Sequence, residues 1–241
     1  MNKEIKKILM GLTASMLRSK KSKCLFYHDI HSKKKYTIMS TSLSMFENHI
    51  HLIRDLGFEI VQNIHDKHNQ IEITFDDGFQ GIYQNIDLIN RLQVPITLFV
   101  STSFIDKENF LSKSQIKELH QNPFIKIASH THTHSNLTML SDVEIRHECV
   151  TSKNILEDIC SDHVYSFCYP KGYFNKKVTK IVSLFYEKQY SSIPGNFHRE
   201  IYNSVKHRSL SQFLTLSELK TVLYGGDNIF NFWYRLKHVR T

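Results

Sequence analysis

Two short polar clusters in this 241-residue chain combine the residue types that metal-assisted hydrolysis requires. Asp76 and Asp77 stand side by side before Gly78. Adjacent carboxylates can divide into two roles, one binding a cation and the other accepting a proton. His130 and His134 lie four residues apart, a spacing that sets two imidazoles on one face of a helical turn, within reach of one metal. One carboxylate with two histidines leaves coordination positions open for water and a substrate oxygen, the arrangement of a catalytic site rather than a structural one. Zinc is the expected ion, and the same donors suit cobalt, nickel or iron. Each cluster alone has a plainer reading. Asp-Asp-Gly is a common turn. A lone histidine more often satisfies a polar contact, and His130, His132 and His134 together also fit an adventitious metal tract. Chemistry is favoured only if both clusters meet in one place.

Bringing them together is a task for the elements that carry them. Short apolar runs at 25–27, 71–75, 96–100, 124–128 and 165–168 read as strands. Helical patterns fall at 44–56, 83–92, 114–120, 141–160, 176–185, 216–223 and 228–237. Ser141-Asp142-Val143-Glu144 is a capping box, so the long helix starts there. Alternation of strand and helix with short connections predicts a parallel sheet or barrel with helices outside. In such folds the chemistry sits at the C-terminal strand ends. Asp76-Asp77-Gly78 follows one strand, and the 130–134 histidines follow another. Tyr27-His28-Asp29 and Tyr169-Pro170-Lys171-Gly172 end two more. All four clusters are therefore expected over one rim.

Hydrophobic residues make up 41% and charged residues 22%, a globular profile with no low-complexity tract or repeat. The formal charge is +8, concentrated near the front in Lys3, Lys6, Lys7, Arg18, Lys20, Lys21 and Lys23, then Lys33 to Lys35. No nucleic-acid-binding signature accompanies it, so no nucleic-acid partner is expected. Cys24, Cys149, Cys160 and Cys168 form no CxxC pair and read as buried thiols, which suits a reducing compartment. Residues 1–23 form a basic amphipathic segment ahead of a single catalytic domain at 24–241. Its apolar stretch is too short to span a bilayer. A packed or interfacial helix is expected, with Ile5, Ile8, Leu9, Leu12 and Met16 near one face and peripheral contact with an anionic membrane surface. A cleaved export signal is the alternative; Thr13, Ser15, the following basic cluster and the lack of a clear cleavage site speak against it. The expected location is cytoplasmic, with a membrane-associated or exported form as alternatives.

Thr74-Phe75-Asp76-Asp77-Gly78 resembles the first motif of the polysaccharide deacetylases, carbohydrate esterase family 4 with its NodB-homology domain. Ser129-His130-Thr131-His132-Thr133-His134-Ser135-Asn136-Leu137 resembles the second, Ser-His-Thr-x-x-His-x-x-Leu. Leu25-Phe26-Tyr27-His28-Asp29-Ile30, then Phe46-Glu47, His49 and Leu56-Gly57-Phe58, is similar to the permuted branch that includes the poly-N-acetylglucosamine deacetylases. The likeness runs roughly from Cys24 to Leu210. It implies a single-domain distorted (β/α) barrel and a metal-dependent hydrolase that removes an acetyl or formyl group from an amino sugar.

The resemblance also implies roles. Asp76 would be the general base, and Asp77, His130 and His134 would hold the metal. His28 would donate a proton to the leaving amine, with His207 and His198 as substitutes. The backbone N–H of Lys171 would support the oxyanion. The third motif usually carries an arginine where this chain has Cys168, and a tyrosine where it has Lys171. Arg208 resembles an arginine near the end of permuted members and would orient Asp76. The implied substrate is a cell-surface glycan or its lipid-linked precursor. An O-acetyl esterase and a catalytically inactive glycan-binding domain are the competing readings.

Overall fold

Among the described residues every pairing between two strands of the sheets is parallel, so paired strands are joined by crossovers rather than hairpins. The computed structural model of the chain describes residues 3–16, 18–202 and 204–239. Helix α1 (Lys3–Met16) comes first, then β1 (Lys23–Tyr27), the small pair β2 (Asp29–His31) and β3 (Ser40–Ser42), and α2 (Leu43–Asp55). Strands β4 (Glu59–Ile60) and β5 (Gln70–Phe75) precede α3 (Gly81–Gln84) and α4 (Ile86–Leu92). Next are β6 (Ile96–Val100), α5 (Lys113–His120), β7 (Ile125–Ser129), α6 (Asp142–Cys160), β8 (Ser166–Cys168) and α7 (Lys176–Val182). The chain ends with β9 (Lys188–Tyr190), β10 (Val205–Lys206), β11 (Arg208–Leu210), α8 (Leu216–Leu223) and α9 (Asn231–His238).

The main sheet runs β10-β9-β8-β7-β6-β5-β1-β11, with β4 also on β5. Its two end strands are consecutive in the chain, separated only by His207. One extended stretch therefore pairs with β9 through Val205 and with β1 through Arg208, and the sheet curls into the expected distorted barrel. Strand side chains alternate between two faces. Leu25 and Tyr27 of β1, Ile71, Ile73 and Phe75 of β5, and Ile96, Leu98 and Val100 of β6 join the large apolar core shared with the helices. The alternate residues Cys24, Phe99, Ala128, Cys168 and Tyr190 form a separate cluster in the lumen. The same alternation sets Asp76, His130, Cys168 and Arg208 around the top of that lumen.

The helices begin where the caps say they should. Ser141 and Glu144 form the expected box, and Ser112 with Gln115 and Thr215 with Glu218 form two more. The helix expected at 83–92 is broken at Asn85. The Asn85 side chain donates to the Gly81 carbonyl at 2.7 Å, satisfying the first turn locally and ending it.

Helix α1 packs through one edge and leaves most of its expected apolar face open. It lies on α8 and on the tight turn Gly226–Phe230, burying Met10 and Ala14. Gly226 allows this approach, since a Cβ there would fall 2.4 Å from the Met10 carbonyl oxygen. The wider apolar stripe of Ile5, Ile8, Leu12 and Met16 is exposed, and of the five residues expected on one face only Leu9 packs inward. No helix among the described residues is long and apolar enough to cross a membrane. All four cysteines are free and buried.

Candidate active site

Asp76 leaves the end of β5 with its backbone N–H on the Tyr27 carbonyl, so its position is tied to β1. Its carboxylate meets Arg208 in a two-pronged pair, Oδ1 to one guanidinium nitrogen and Oδ2 to the other, both at 2.7 Å. Arg208 has no exposure to solvent. It also donates to the Ser191 carbonyl, the Thr74 hydroxyl and the Cys168 sulfur. The Phe26 and Phe99 rings flank the guanidinium at 4.5 and 5.2 Å. Burial alone would raise the Asp76 pKa. The Arg208 charge and hydrogen bonds outweigh it and lower the group to about 2.

Asp77 points elsewhere because its backbone is left-handed, with φ 75°, and Gly78 follows at φ 85°. Its Oδ1 lies 3.4 Å from His130 Nε2 and 3.2 Å from His134 Nε2. The histidines do not reach it from a helical turn. Residues 130–136 are a loop in which Thr131 and His134 are left-handed, at φ 68° and 60°. Glu148, buried on α6, holds this loop through the N–H groups of His132 and Thr133 and the Thr133 hydroxyl. The Thr131 hydroxyl accepts the His134 N–H. A spacing of four thus delivers both imidazoles by a different conformation from the one it suggests, because buried Glu148 outbids a local helix for the loop's N–H groups.

The donor set fits a divalent cation. His130 Nδ1–H donates to the Cys168 carbonyl at 2.8 Å, which leaves a lone pair on Nε2 facing Asp77. Burial holds the His130 pKa down to about 4, so the ring is neutral. Asp77 Oδ1 is buried without a hydrogen-bond partner among the described residues. Lone pairs converging on an unpartnered carboxylate oxygen are what a shared cation would satisfy. Asp76, His130 and Cys168 form a second close trio. Arg208 already occupies both Asp76 oxygens, and burial pushes the Cys168 thiol well above its ordinary range, so that trio is a poor cage.

His28, at the end of β1, is half-buried and its Nδ1–H donates to Gln212 Oε1 at 2.6 Å. That bond engages Nδ1 and leaves the other ring nitrogen, Nε2, outside it. Beside it Asp29 is fully buried, and burial pushes its pKa up to about 7. Gly81 makes room, since a Cβ there would lie 2.0 Å from Asp29 Oδ1. Lys171 sits in the left-handed turn after β8, with φ 56°, an exposed side chain and its carbonyl bonded to His238.

Three comparisons place this geometry. The family model described as polysaccharide deacetylase matches residues 63–186. The chain belongs to the polysaccharide deacetylase family. It is 25% identical over 196 residues to Bacillus subtilis YxkH, named as a polysaccharide deacetylase, covering 76% of this chain and 69% of that one. It is 24% identical over 175 residues to the poly-β-1,6-N-acetyl-D-glucosamine N-deacetylase of Staphylococcus aureus, with 62% of this chain matched and only 60% of the relative's length spanned. The fold recurs in the polysaccharide deacetylase BC0361 of Bacillus cereus, with TM-score 0.75, 23% identity, and 85% of this chain and 69% of that chain covered. It recurs in IcaB of Ammonifex degensii, with TM-score 0.70, 17% identity, and 86% and 99% covered.

Within this deacetylase-family rim, Asp76, Asp77, His130, His134, His28 and Arg208 lie together as the sequence suggested. The substitutes for His28 do not. His207 is buried against the Ile193 carbonyl and Asn231, and His198 is on the Asp66 carbonyl near the start of β5. His132 turns aside to Thr102. Gln212 and Glu148 were invisible in the sequence, since neither belongs to a recognisable spacing. Arg208 supplies beside Cys168 the guanidinium that this deacetylase lacks at position 168 itself.

Proposed function

We propose that this deacetylase-family protein removes an acetyl or formyl group from the nitrogen of an amino sugar, in a cell-surface glycan or its lipid-linked precursor. The observation that carries the reading is the division of labour at the Asp76–Asp77 pair. One carboxylate is locked to a buried arginine, and the other converges with two imidazoles. Asp77, His130 and His134 would hold a divalent cation, zinc first among zinc, cobalt, nickel and iron. When bound, such an ion acidifies water and polarises the acyl carbonyl. Asp76 is ionised at any working pH and takes a proton from the attacking water. A carboxylate held near pKa 2 is a weak base, so it suits only a water whose own pKa is already lowered. Gln212 holds the His28 ring through Nδ1–H, and His28 protonated also at Nε2 would give that second proton to the sugar nitrogen as the carbon–nitrogen bond breaks and the amine leaves. The turn at Lys171 offers a backbone N–H to the oxygen that gains charge. A binding-only domain would need neither the base nor its arginine. A cytoplasmic location at a membrane surface accompanies this reading, and the four free thiols suit a reducing compartment.

The deciding assay is amine release from N-acetyl and N-formyl glucosamine oligomers, run beside acetate release from O-acetylated sugars. Chelation is expected to abolish amine release, and added Zn2+, Co2+ or Ni2+ to restore it. Turnover that ignores chelators, or release from O-acyl sugars alone, contradicts the proposal. Glu148→Ala should weaken metal binding by about 10–100-fold, because the loop carrying His134 loses its anchor. A competitive chelator titration reads this, and an unchanged affinity removes the positioning role of Glu148.

A further inference from the structure

Exposed apolar residues on this protein are not scattered. Among the described residues, eleven of the eighteen exposed large apolar side chains fall on α1, the segment 210–216 and the segment 229–236. These segments adjoin one another. Helix α1 packs on the Gly226–Phe230 turn, which runs straight into α9. Met10, Phe213, Phe230 and Tyr234 line one cleft between them, of about 440 Å³. Single exposed apolar residues need no explanation, but a concentration on packed neighbours marks an interaction surface.

Its composition indicates the partner. Helix α9 exposes Phe232, Trp233 and Leu236 beside Arg235 and Lys237, and Arg199 joins the last two along an adjacent groove. Neither Arg235 nor Lys237 has a carboxylate partner among the described residues. The nearby acids are already neutralised, Glu218 by Lys7 and Asp227 by Lys23. Apolar and aromatic residues next to unpaired cations, on a chain of net charge +8, match an anionic bilayer interface. A protein partner would be expected to meet a polar rim of both signs instead.

We infer that α1, the 210–216 segment and α9 together dock this protein on an anionic lipid bilayer. Gln212, the residue that orients His28, lies inside the middle segment, so docking brings the rim to the membrane. The further consequence, that the amino sugar acted on is membrane-borne, rests on the deacetylase reading; the docking itself does not.

Trp233 is the chain's only tryptophan and is exposed on α9, which makes it a built-in reporter. The full chain is mixed with vesicles of phosphatidylcholine, with and without phosphatidylglycerol, and Trp233 emission and vesicle co-flotation are recorded. A blue shift and flotation with the anionic vesicles are expected, both reduced by high salt. Arg235→Gln with Lys237→Gln should weaken vesicle binding roughly thirtyfold. Phe232→Ser with Leu236→Ser should weaken it roughly a hundredfold while leaving turnover of a soluble oligosaccharide unchanged. No flotation on anionic vesicles overturns the inference. So does a blue shift that grows with protein concentration in the absence of lipid, because a second copy would then be the occupant. Flotation by a protein that hydrolyses no N-acyl sugar would sink the deacetylase reading and leave the docking surface standing.

Discussion

Asp76→Asn is expected to lower turnover of an N-acyl sugar by about 10²–10⁴-fold, the range that a positioned general base contributes. The substitution keeps shape and removes the proton acceptor. Metal content should stay close to that of the parent, since Asp77, His130 and His134 are untouched. Elemental analysis of the purified variant beside its kcat therefore separates the two roles within the Asp-Asp pair. Some loss of stability should accompany it. The Asn amide can still accept one N–H from Arg208, but its NH2 would face the second guanidinium nitrogen, donor against donor. His130→Ala is the contrasting variant, expected to lose both metal and turnover. Undiminished kcat in Asp76→Asn would end the base assignment.

Arg208→Met should produce the largest change in stability, a loss of about 3–5 kcal/mol, because it strands a buried carboxylate. The sign of its pH dependence is the sharper test. In the parent the Asp76 pKa is lowered from 3.8 to about 2. The native state thus gains stability from the ionised group above about pH 4 and loses it as pH falls toward 2. Without the guanidinium, burial becomes the governing influence and lifts the Asp76 pKa above its unfolded value. The variant should then be relatively steadier in acid and lose ground as pH rises through the lifted value. Urea unfolding from pH 3 to 7 would reveal these opposite slopes. Adding Asp76→Asn to Arg208→Met should recover part of the loss, since no charge is then left unpaired. A single Arg208→Met variant as stable as the parent would show that the pair is not what holds the lumen together.

The rim illustrates how far short-range information reaches. Strands β1, β5, β6, β7 and β8 and the clusters that follow them were legible because apolar runs, caps and turn residues act over a few positions, whereas the two- and three-residue strands β2, β3 and β4 are too short to carry a pattern. The capping box at Ser141 could be read letter by letter. Placing all the clusters at the same strand ends needed only the rule that parallel strands share a direction. The conformation of the 130–136 loop was not legible. Four residues of spacing suit a helical turn, but Glu148, on the following helix, imposes a left-handed path instead.

Gln212 and Glu148 carry no motif, and Arg208 was reachable only through resemblance to a family. Arg208 and Asp76 are 132 residues apart, and nothing local connects them. Their meeting depends on β11 pairing with β1, with Cys24 opposite Arg208 and Phe26 flanking its guanidinium. Orientation of α1 follows the same logic. Its amphipathic pattern was plain and left packed and interfacial placements both open; the close approach at Gly226 buries Met10 and Ala14 and leaves Ile8 and Leu12 outward. Sequence by itself determined the longer elements, the family and the motif residues at the rim. Tertiary structure decided which of them touch, because strand order, register and close packing are settled by the whole chain at once, whereas propensity, capping and alternation act between near neighbours.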